Sequence, residues 1–275
     1  MPTIGLLYPG DSAADDYTHL TEPLAAHGVQ LLVEETSVGV DAHEVDALLD
    51  LGSSERLLEG AARIRDRVDA LMWACTSGSF VFGWEGAHDQ AAEIAERTGR
   101  PSSSTSLAFV RACRALSLQR VAVAASYPRD VAEHFTDFLR AGGIEVVGMS
   151  SHDIHTAAQV STLGRDDVCA IVAGAGRSGA EAILVPDTAM HSLGWLPDLE
   201  HVAGTPVLTA NQVTVFDGLG LLGLRPQLEG FGALFGRATT TTPATTGTTT
   251  TGTGTGAGAG THTGADASGG TEGAS

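Results

Sequence analysis

Seven short apolar runs, rich in β-branched residues, alternate with segments of helical spacing along residues 1–237. The runs are Thr3–Tyr8, Val29–Glu34, Ala70–Ala74, Arg120–Ala125, Glu145–Met149, Ala182–Val185 and Pro206–Thr209. The segments of helical spacing are Leu57–Val68, Ala87–Thr98, Leu107–Leu116, Arg129–Ala141, Arg165–Ala175 and Val213–Leu221. Continuous apolar runs are typical of parallel strands buried on both faces, so the alternation predicts an α/β fold with helices covering parallel sheets.

Two stretches of the chain resemble each other. Val68–Thr76 and Ala180–Thr188 each contain an acidic residue, an alanine, an apolar strand, a reactive residue and a threonine. Each is followed by a helical segment and then by a glycine, a proline and a polar strand, in Gly99–Thr105 and Gly204–Ala210. The repeat predicts two similar α/β lobes related by a pseudo-twofold axis, with a ligand cleft beyond the carboxyl ends of their strands.

The composition changes at about residue 238. Residues 238–275 are almost entirely Thr, Gly, Ala and Ser. Such a segment cannot bury enough apolar surface to offset the entropy of ordering, so we predict a disordered tail. Within the rest, we expect a first lobe over residues 1–115, with 213–237 packing back on it, and a second lobe over residues 116–212.

Charge and composition exclude several classes of function. All 15 basic residues are arginines, which excludes a lysine Schiff base and a phosphate loop of the Walker type. The net charge of −18 argues against nucleic acid and anionic membranes as partners. Without a signal peptide or an apolar run of about 18 residues, the sequence predicts a cytoplasmic protein with reduced cysteines. It leaves homo-oligomer formation open.

One motif points to a cofactor only superficially. The segment Gly174–Gly179 has the spacing G-x-G-x-x-G. A dinucleotide fingerprint needs a strand before it and a helix after it, whereas here a helical segment precedes and a strand follows. We therefore expect a loop that ends a helix, with no bound cofactor. The histidines show no spacing typical of a metal site either.

Cys75 is the residue with the clearest chemical potential. It follows the apolar run Ala70–Ala74 and precedes the small residues Thr76-Ser77-Gly78-Ser79, whose backbone N–H groups would favour an anion. We expect the start of the next helix to lower the pKa of the thiol. The alternative is a small thiol buried in the core, which is the interpretation we give to Cys113 and Cys169.

Asp187 follows the apolar strand Ala182–Val185 as Cys75 follows Ala70–Ala74. It is a candidate general acid or base facing Cys75 across the cleft, or a cap for a helix that begins at the next residue. His191 would lie on the same helical face and could orient the carboxylate, although a solvated histidine fits as well. Ser126 and Tyr127 end the strand Arg120–Ala125 and are candidate hydrogen-bond donors to a substrate oxyanion.

These segments resemble the aspartate/glutamate racemase superfamily, and within it the branch of arylmalonate decarboxylases and maleate isomerases. The similarity covers most of residues 2–222. It includes Pro2–Leu6, Cys75–Phe80, Val121–Tyr127 and Ala182–Thr188. The resemblance implies a cofactor-independent enzyme with two α/β lobes, a small carboxylate substrate and an active site between the lobes.

The resemblance also implies a departure from the family pattern. Racemases and isomerases of the superfamily use one cysteine in each lobe, and arylmalonate decarboxylases keep only the second. This chain keeps the first, as Cys75, and has Asp187 in the place of the second. Carried over, Thr76, Ser77, Tyr127 and the Thr188 backbone would form a pocket for a carboxylate or an enediolate.

Four functions follow from this arrangement. The first is decarboxylation of a malonate-type acid, in which Cys75 protonates the enediolate. The alternatives are a maleate-type cis–trans isomerase with Cys75 as nucleophile, and a racemase with a Cys75/Asp187 pair. A protein that binds small molecules on the same scaffold is the alternative outside enzymes.

Overall fold

Eight strands form two four-stranded parallel sheets in a computed structural model that describes residues 1–10, 12–176 and 179–236. The strands of the first sheet are β1 (Thr3–Pro9), β2 (Gln30–Thr36), β3 (Ala70–Trp73) and β4 (Ser102–Ser104). Those of the second are β5 (Arg120–Ala125), β6 (Glu145–Ser151), β7 (Ala182–Val185) and β8 (Val207–Thr209). The strand orders, β2-β1-β3-β4 and β6-β5-β7-β8, are the same, which confirms two similar α/β lobes.

Helices connect and cover the strands. They are α1 (Thr21–Ala26), α2 (Val45–Leu51), α3 (Ser54–Ile64), α4 (Ser77–Phe80), α5 (Gly83–Thr98), α6 (Thr105–Ala115), α7 (Arg129–Ala141), α8 (Ala157–Val160), α9 (Arg165–Gly174), α10 (Leu196–Ala203), α11 (Ala210–Leu221) and α12 (Gly232–Gly236). Strands β3 and β7 are buried along their whole length, as their continuous apolar sequences require. All seven predicted strands and all six predicted helices are present, with ends displaced by up to four residues.

Helix α11 comes last among the long helices and packs on α6 of the first lobe. The hydroxyls of Thr105 and Thr214 lie 2.6 Å apart in this contact, and Arg111 makes a 2.6 Å ion pair with the buried Asp217. The described residues form one compact unit. The boundaries that we expect between the lobes stay predictions, and the predicted tail, residues 238–275, lies outside the described residues.

A buried carboxylate joins the two lobes beside this helix. Asp16, between β1 and α1, accepts hydrogen bonds from the backbone N–H groups of Ser192 and Leu193, at 3.1 and 3.2 Å, and from Asn211 Nδ2 at 2.8 Å. Asn211 in turn accepts a 3.0 Å hydrogen bond from the Tyr17 hydroxyl. Because Asp16 is only 2 % exposed, these bonds form in a region that water hardly reaches.

Among the described residues, no helix combines the length and the apolar character that a membrane-spanning segment needs.

Candidate active site

The carboxyl ends of the central strands meet at one cavity of about 430 Å³. They are the ends of β1 and β3 in the first sheet and of β7 in the second, whereas the residues that follow β5 lie behind the cavity surface. Ligands of parallel sheets bind at this end of the strands. Side chains that can form hydrogen bonds or transfer protons line the cavity from both lobes: Tyr8, Ser12, Asp41, His43, Cys75, Ser77, Ser161, Asp187 and Thr188.

Cys75 stands at the start of helix α4, where the chain leaves β3. The backbone N–H of Gly78 donates to its Sγ at 3.3 Å, and the Ser77 hydroxyl lies 3.8 Å from the same atom. Gly78 suits this close approach, because a Cβ there would lie 3.2 Å from Sγ and 3.0 Å from the Trp73 ring. The turn therefore holds the sulfur at a fixed place on the cavity wall.

Buried groups support this turn from behind. The Gly78 carbonyl accepts hydrogen bonds from Trp73 Nε1 at 3.2 Å and from Gln90 Nε2 at 3.0 Å. Gln90 also donates to the carbonyl of Gly52 at 2.7 Å. A side chain at Gly52 would collide with the Gly78 carbonyl, since its Cβ would lie 2.0 Å from that oxygen. The conformation of the turn Thr76–Gly78 therefore requires a glycine at position 52, more than 20 residues earlier in the chain.

The expected effect of the helix on the Cys75 thiol was wrong. Burial raises the pKa of Cys75 to about 11, and the hydrogen bonds from Gly78 and Ser77 offset this only in part. Helix α4 has four residues, so few aligned peptide dipoles oppose the loss of hydration around a side chain that is 3 % exposed. The thiol is therefore protonated at neutral pH.

Asp187 lies on the same cavity wall as Thr188, in the turn that follows β7. It is 4 % exposed, and both of its oxygens accept hydrogen bonds. Ser126, at the end of β5, donates to Oδ2, and the backbone N–H of Ala189 donates to Oδ1 at 2.9 Å. The carboxylate thus stabilises its own turn while facing the cavity, but no helix begins there.

Cys75 and Asp187 are close enough to affect each other and the two tyrosines that surround them. Burial is the main cause that raises the pKa of Tyr8 and of Tyr127, and the charges of Asp187 and Cys75 raise both further. Asp187 also raises the pKa of Cys75. The two lobes therefore contribute to one electrostatic site, as the internal repeat predicts.

The other predicted site residues divide into two groups. Ser77 and Thr188 line the cavity. Thr76 and Tyr127 lie behind its surface, where Tyr127 is 1 % exposed and donates a 2.5 Å hydrogen bond to the Pro186 carbonyl. The Thr76 hydroxyl is fully buried and, among the described residues, has no hydrogen-bond partner of standard geometry. The substrate roles of all four residues stay predictions.

His191 does not orient Asp187. Its Nε2 lies within hydrogen-bond distance of Asp15 Oδ1 instead, at 2.8 Å in a partly exposed position. Because no helix begins after Asp187, the spacing of four residues does not bring the two side chains onto one face. Cys113 is fully buried, as expected for a core thiol, whereas Cys169 is only partly buried at the edge of the second core.

Five of these polar lining residues were not predicted from the sequence: Tyr8, Ser12, Asp41, His43 and Ser161. Tyr8 could have been found, because it precedes a proline at the end of β1 as Tyr127 precedes a proline shortly after β5. Its hydroxyl donates to the Thr188 carbonyl at 2.9 Å and so fixes the second-lobe turn. Asp41 and His43 lie in the loop between β2 and α2, where no pattern predicts which side chains face a cavity. Within the part of the chain that the structure describes, no group of three or more metal-binding side chains is placed to hold a metal ion.

Comparison with known proteins identifies the family. A sequence model of arylmalonate decarboxylase matches residues 43–235. The arylmalonate decarboxylase of Bordetella bronchiseptica is 32 % identical over 250 residues, which cover 85 % of this chain and 96 % of that protein. The maleate isomerase of Pseudomonas putida is 27 % identical over 179 residues, covering 62 % of this chain and 71 % of the relative.

Solved structures agree with this similarity. A maleate cis–trans isomerase from Nocardia farcinica superposes with a TM-score of 0.75 at 25 % identity, covering 85 % of this chain and 98 % of that one. A mutant of arylmalonate decarboxylase superposes with a TM-score of 0.76 at 22 % identity, covering 86 % and 99 %. The match to the family model spans more than two thirds of the chain. The chain is therefore an enzyme of the arylmalonate decarboxylase family, in the branch that also contains maleate isomerases.

Proposed function

We propose that this enzyme decarboxylates a malonate-type acid without a cofactor, and that Cys75 supplies the proton that replaces the lost carboxylate. The observation that carries the proposal is the state of this thiol. It is buried on the cavity wall and protonated at neutral pH, because burial raises its pKa to about 11. A protonated thiol is an acid that can protonate a carbanion, whereas nucleophilic attack needs a thiolate.

The reaction balances with the groups of the cavity. The bond between the α-carbon and one carboxylate breaks, and carbon dioxide leaves. The electron pair moves into the remaining carboxylate and forms an enediolate. The Cys75 thiol then gives its proton to the α-carbon, and the resulting thiolate takes a proton from solvent. The products are carbon dioxide and a monocarboxylate.

The enediolate needs hydrogen-bond donors around its two oxygens. Ser77 and the Thr188 backbone lie at the cavity surface, and the hydroxyl of Thr76 is buried with no hydrogen bond of standard geometry among the described residues. Tyr127 donates to the Pro186 carbonyl in the free enzyme, so its hydroxyl would have to turn to reach a substrate. We assign these four residues to enediolate stabilisation as part of the proposal.

The charges around the cavity support loss of a carboxylate. Among the described residues that line it, the ionisable side chains other than tyrosine and cysteine are Asp41, His43 and Asp187. A bound dicarboxylate adds two negative charges beside two carboxylates that are already there. Loss of neutral carbon dioxide leaves both added charges on the enediolate, and the proton that arrives from solvent through Cys75 then removes one of them. This environment therefore raises the energy of the dicarboxylate substrate more than that of the monocarboxylate product.

The test is a set of small acids followed by NMR in deuterated water. Methylmalonate and phenylmalonate should release carbon dioxide and give a monocarboxylate with one deuterium on the α-carbon. Maleate should persist, and optically active amino acids should keep their configuration. Turnover of maleate to fumarate, or racemisation without release of carbon dioxide, would replace decarboxylation with the isomerase or the Cys75/Asp187 racemase.

Isomerisation is the second candidate, and one observation favours it. The structure of the Nocardia farcinica isomerase contains a covalently bound succinylcysteine intermediate, so a cysteine of that relative acts as a nucleophile. The Gly78 N–H that points at Cys75 Sγ would stabilise a thiolate if one formed. Mass spectrometry of the intact enzyme after incubation with maleate would detect an adduct at Cys75.

A further inference from the structure

The loop between β2 and α2 reaches across to the second lobe at the cavity. The backbone N–H of His43 donates to the His155 carbonyl at 2.7 Å. Asp41 accepts hydrogen bonds from the backbone N–H groups of Ala157 and Ala158, at 2.9 and 3.1 Å. Contacts from both lobes therefore hold His43 in one place and restrict the orientation of its imidazole.

The hydrogen bonds of His43 define its tautomer. Its Nδ1 lies 2.8 Å from the carbonyl oxygen of Ile154. A carbonyl can only accept, so Nδ1 carries a proton and donates it. In the neutral imidazole the other nitrogen, Nε2, then has a free lone pair and acts as an acceptor.

Nε2 has no hydrogen-bond partner among residues 1–10, 12–176 and 179–236, although the His43 side chain lines the cavity and the residue is 5 % exposed. Because Nε2 opens onto the cavity, a ligand that has a hydrogen-bond donor can reach this acceptor and satisfy it. No step of the proposed decarboxylation uses this nitrogen.

The neighbours of His43 connect it to the reacting centre. Its ring meets the Tyr127 ring edge-on, with 4.8 Å between centroids. His43 and Cys75 line the same cavity. A ligand whose α-carbon lies beside the Cys75 thiol can therefore present a substituent of that carbon to the imidazole.

We propose that His43 determines substrate specificity, with Nε2 accepting a hydrogen bond from a hydroxyl or amino substituent on the α-carbon. This inference rests on the proposed function and adds the class of substrate, which is a malonate with a small hydrogen-bond donor rather than a purely hydrocarbon substituent. The hydrogen bond from Nδ1 to the Ile154 carbonyl fixes the orientation of the His43 ring, and so it fixes the direction in which Nε2 accepts within the cavity.

The test compares two ligands that cannot lose carbon dioxide in the proposed way, 2-hydroxypropanoate and 2-methylpropanoate, which have nearly the same size. NMR titration of the full-length protein should show that the hydroxy acid binds about 3- to 10-fold more tightly, as expected for one neutral hydrogen bond. In His43→Asn the side-chain amide can still donate to Ile154, but the acceptor at Nε2 is gone. The variant should therefore bind the two acids with about equal affinity.

Two further variants complete the experiment. His43→Gln brings an amide oxygen towards the position of Nε2 and should keep part of the preference, so it tests the idea even if the asparagine variant unfolds. His27→Asn, at an exposed position, is the matched control and should behave as wild type. The inference is overturned if the wild type binds both acids equally, or if His43→Asn keeps the preference. It is also overturned if binding takes up about one proton, which would make His43 a cation that binds the carboxylate.

Failure of the proposed function would look different from failure of this inference. An enzyme that releases no carbon dioxide from hydroxymalonate or methylmalonate, yet prefers the hydroxy acid through His43, would disprove decarboxylation and retain the binding role. If both malonates are decarboxylated with equal efficiency by the wild type and by His43→Asn, the proposed function stands and the role of His43 is disproved.

Discussion

The turns that follow β3 and β7 occupy the same position in two similar lobes, but they differ in how their reactive groups are held. Cys75 Sγ accepts a hydrogen bond from the Gly78 backbone and lies near the Ser77 hydroxyl, in a setting whose main effect is to remove water from the sulfur. Asp187 receives a donor on each oxygen, from Ser126 and from the backbone of Ala189. In the turn after β3 the Cys75 thiol keeps its proton. In the turn after β7 each oxygen of the Asp187 carboxylate accepts a hydrogen bond.

This difference teaches that the fold repeats while the chemistry does not. A pair of thiols would offer an acid on both sides of a bound carbanion. Here a thiol faces a carboxylate that is already engaged, so the two faces of the substrate meet unlike groups. Under the proposed function, the proton should arrive from the side of the first lobe and give one enantiomer of a chiral product.

The largest expected effect comes from removing the thiol. Cys75→Ala should lower turnover by about 10²- to 10⁴-fold, because general acid catalysis by a positioned group contributes about this much. Release of carbon dioxide measures the effect. Cys169→Ala, at a partly buried thiol away from the cavity, is the matched control and should keep full activity. Normal turnover in Cys75→Ala would remove Cys75 from the mechanism.

The second prediction makes the two turns alike. Asp187→Cys would place a thiol in each lobe, so both faces of the enediolate could receive a proton. A chiral product that the wild type forms as one enantiomer should become largely racemic, as measured by chiral chromatography. Asp187→Asn keeps the shape of the side chain without supplying an acid, so its product should remain a single enantiomer. Equal enantiomeric excess in the cysteine variant and the wild type would contradict the asymmetry.

The third prediction concerns pH. The pKa of Cys75 is raised to about 11, whereas a thiol in an unfolded chain titrates near pH 8.5. Between these values the folded chain keeps a proton that the unfolded chain has lost. The stabilisation is therefore complete below about pH 8.5 and decreases as the pH rises towards 11.

Urea unfolding of wild type and Cys75→Ala isolates this contribution, because the buried tyrosines and Cys113 titrate in both. Between about pH 8 and pH 10.5, the free energy of unfolding of the wild type should fall by on the order of 2 kcal/mol more than that of the variant. Parallel pH profiles for the two proteins would mean that Cys75 is not a protonated thiol in the native state.

The smallest expected effect concerns the support of Asp187. Ser126→Ala leaves Asp187 Oδ2 buried without its hydroxyl donor and should lower the free energy of unfolding by about 1–3 kcal/mol. Ser161→Ala removes a serine that lines the same cavity but bonds at an exposed site, and it should change stability by less than about 0.5 kcal/mol. If the two variants unfold at the same urea concentration, the Ser126 hydrogen bond does not support the second turn.

Much of the fold could be predicted because its strands are buried on both faces. Continuous apolar runs such as Ala182–Val185 leave few alternatives to a parallel strand, and the repeat around Cys75 and Asp187 predicts that both residues reach the same cavity. The short strand Ser102–Ser104 is polar, and only its place in the repeat indicated it.

The sequence could not predict the balance of forces at Cys75 or the content of the loops. Whether burial or a helix terminus determines the pKa of a thiol depends on how deeply the sulfur is covered and how long the helix is, and neither is local in the sequence. His43 faces the cavity because its loop binds residues 154–158, more than 100 positions away. Interactions of this range leave no periodicity to detect.

Two of the contacts between the lobes, at Asp16 and at Asp41, differ in the free energy that separation would cost. The bonds to Asp16 are buried, and opening them would leave a carboxylate without water or partners. The bonds from Asp41 to residues 157 and 158 are exposed, so water can replace them at little cost. We therefore expect the lobes to separate more readily at Asp41 than at Asp16, so that ligands exchange with solvent on the Asp41 side. Amide hydrogens of Ala157 and Ala158 should exchange sooner than those of Ser192 and Leu193.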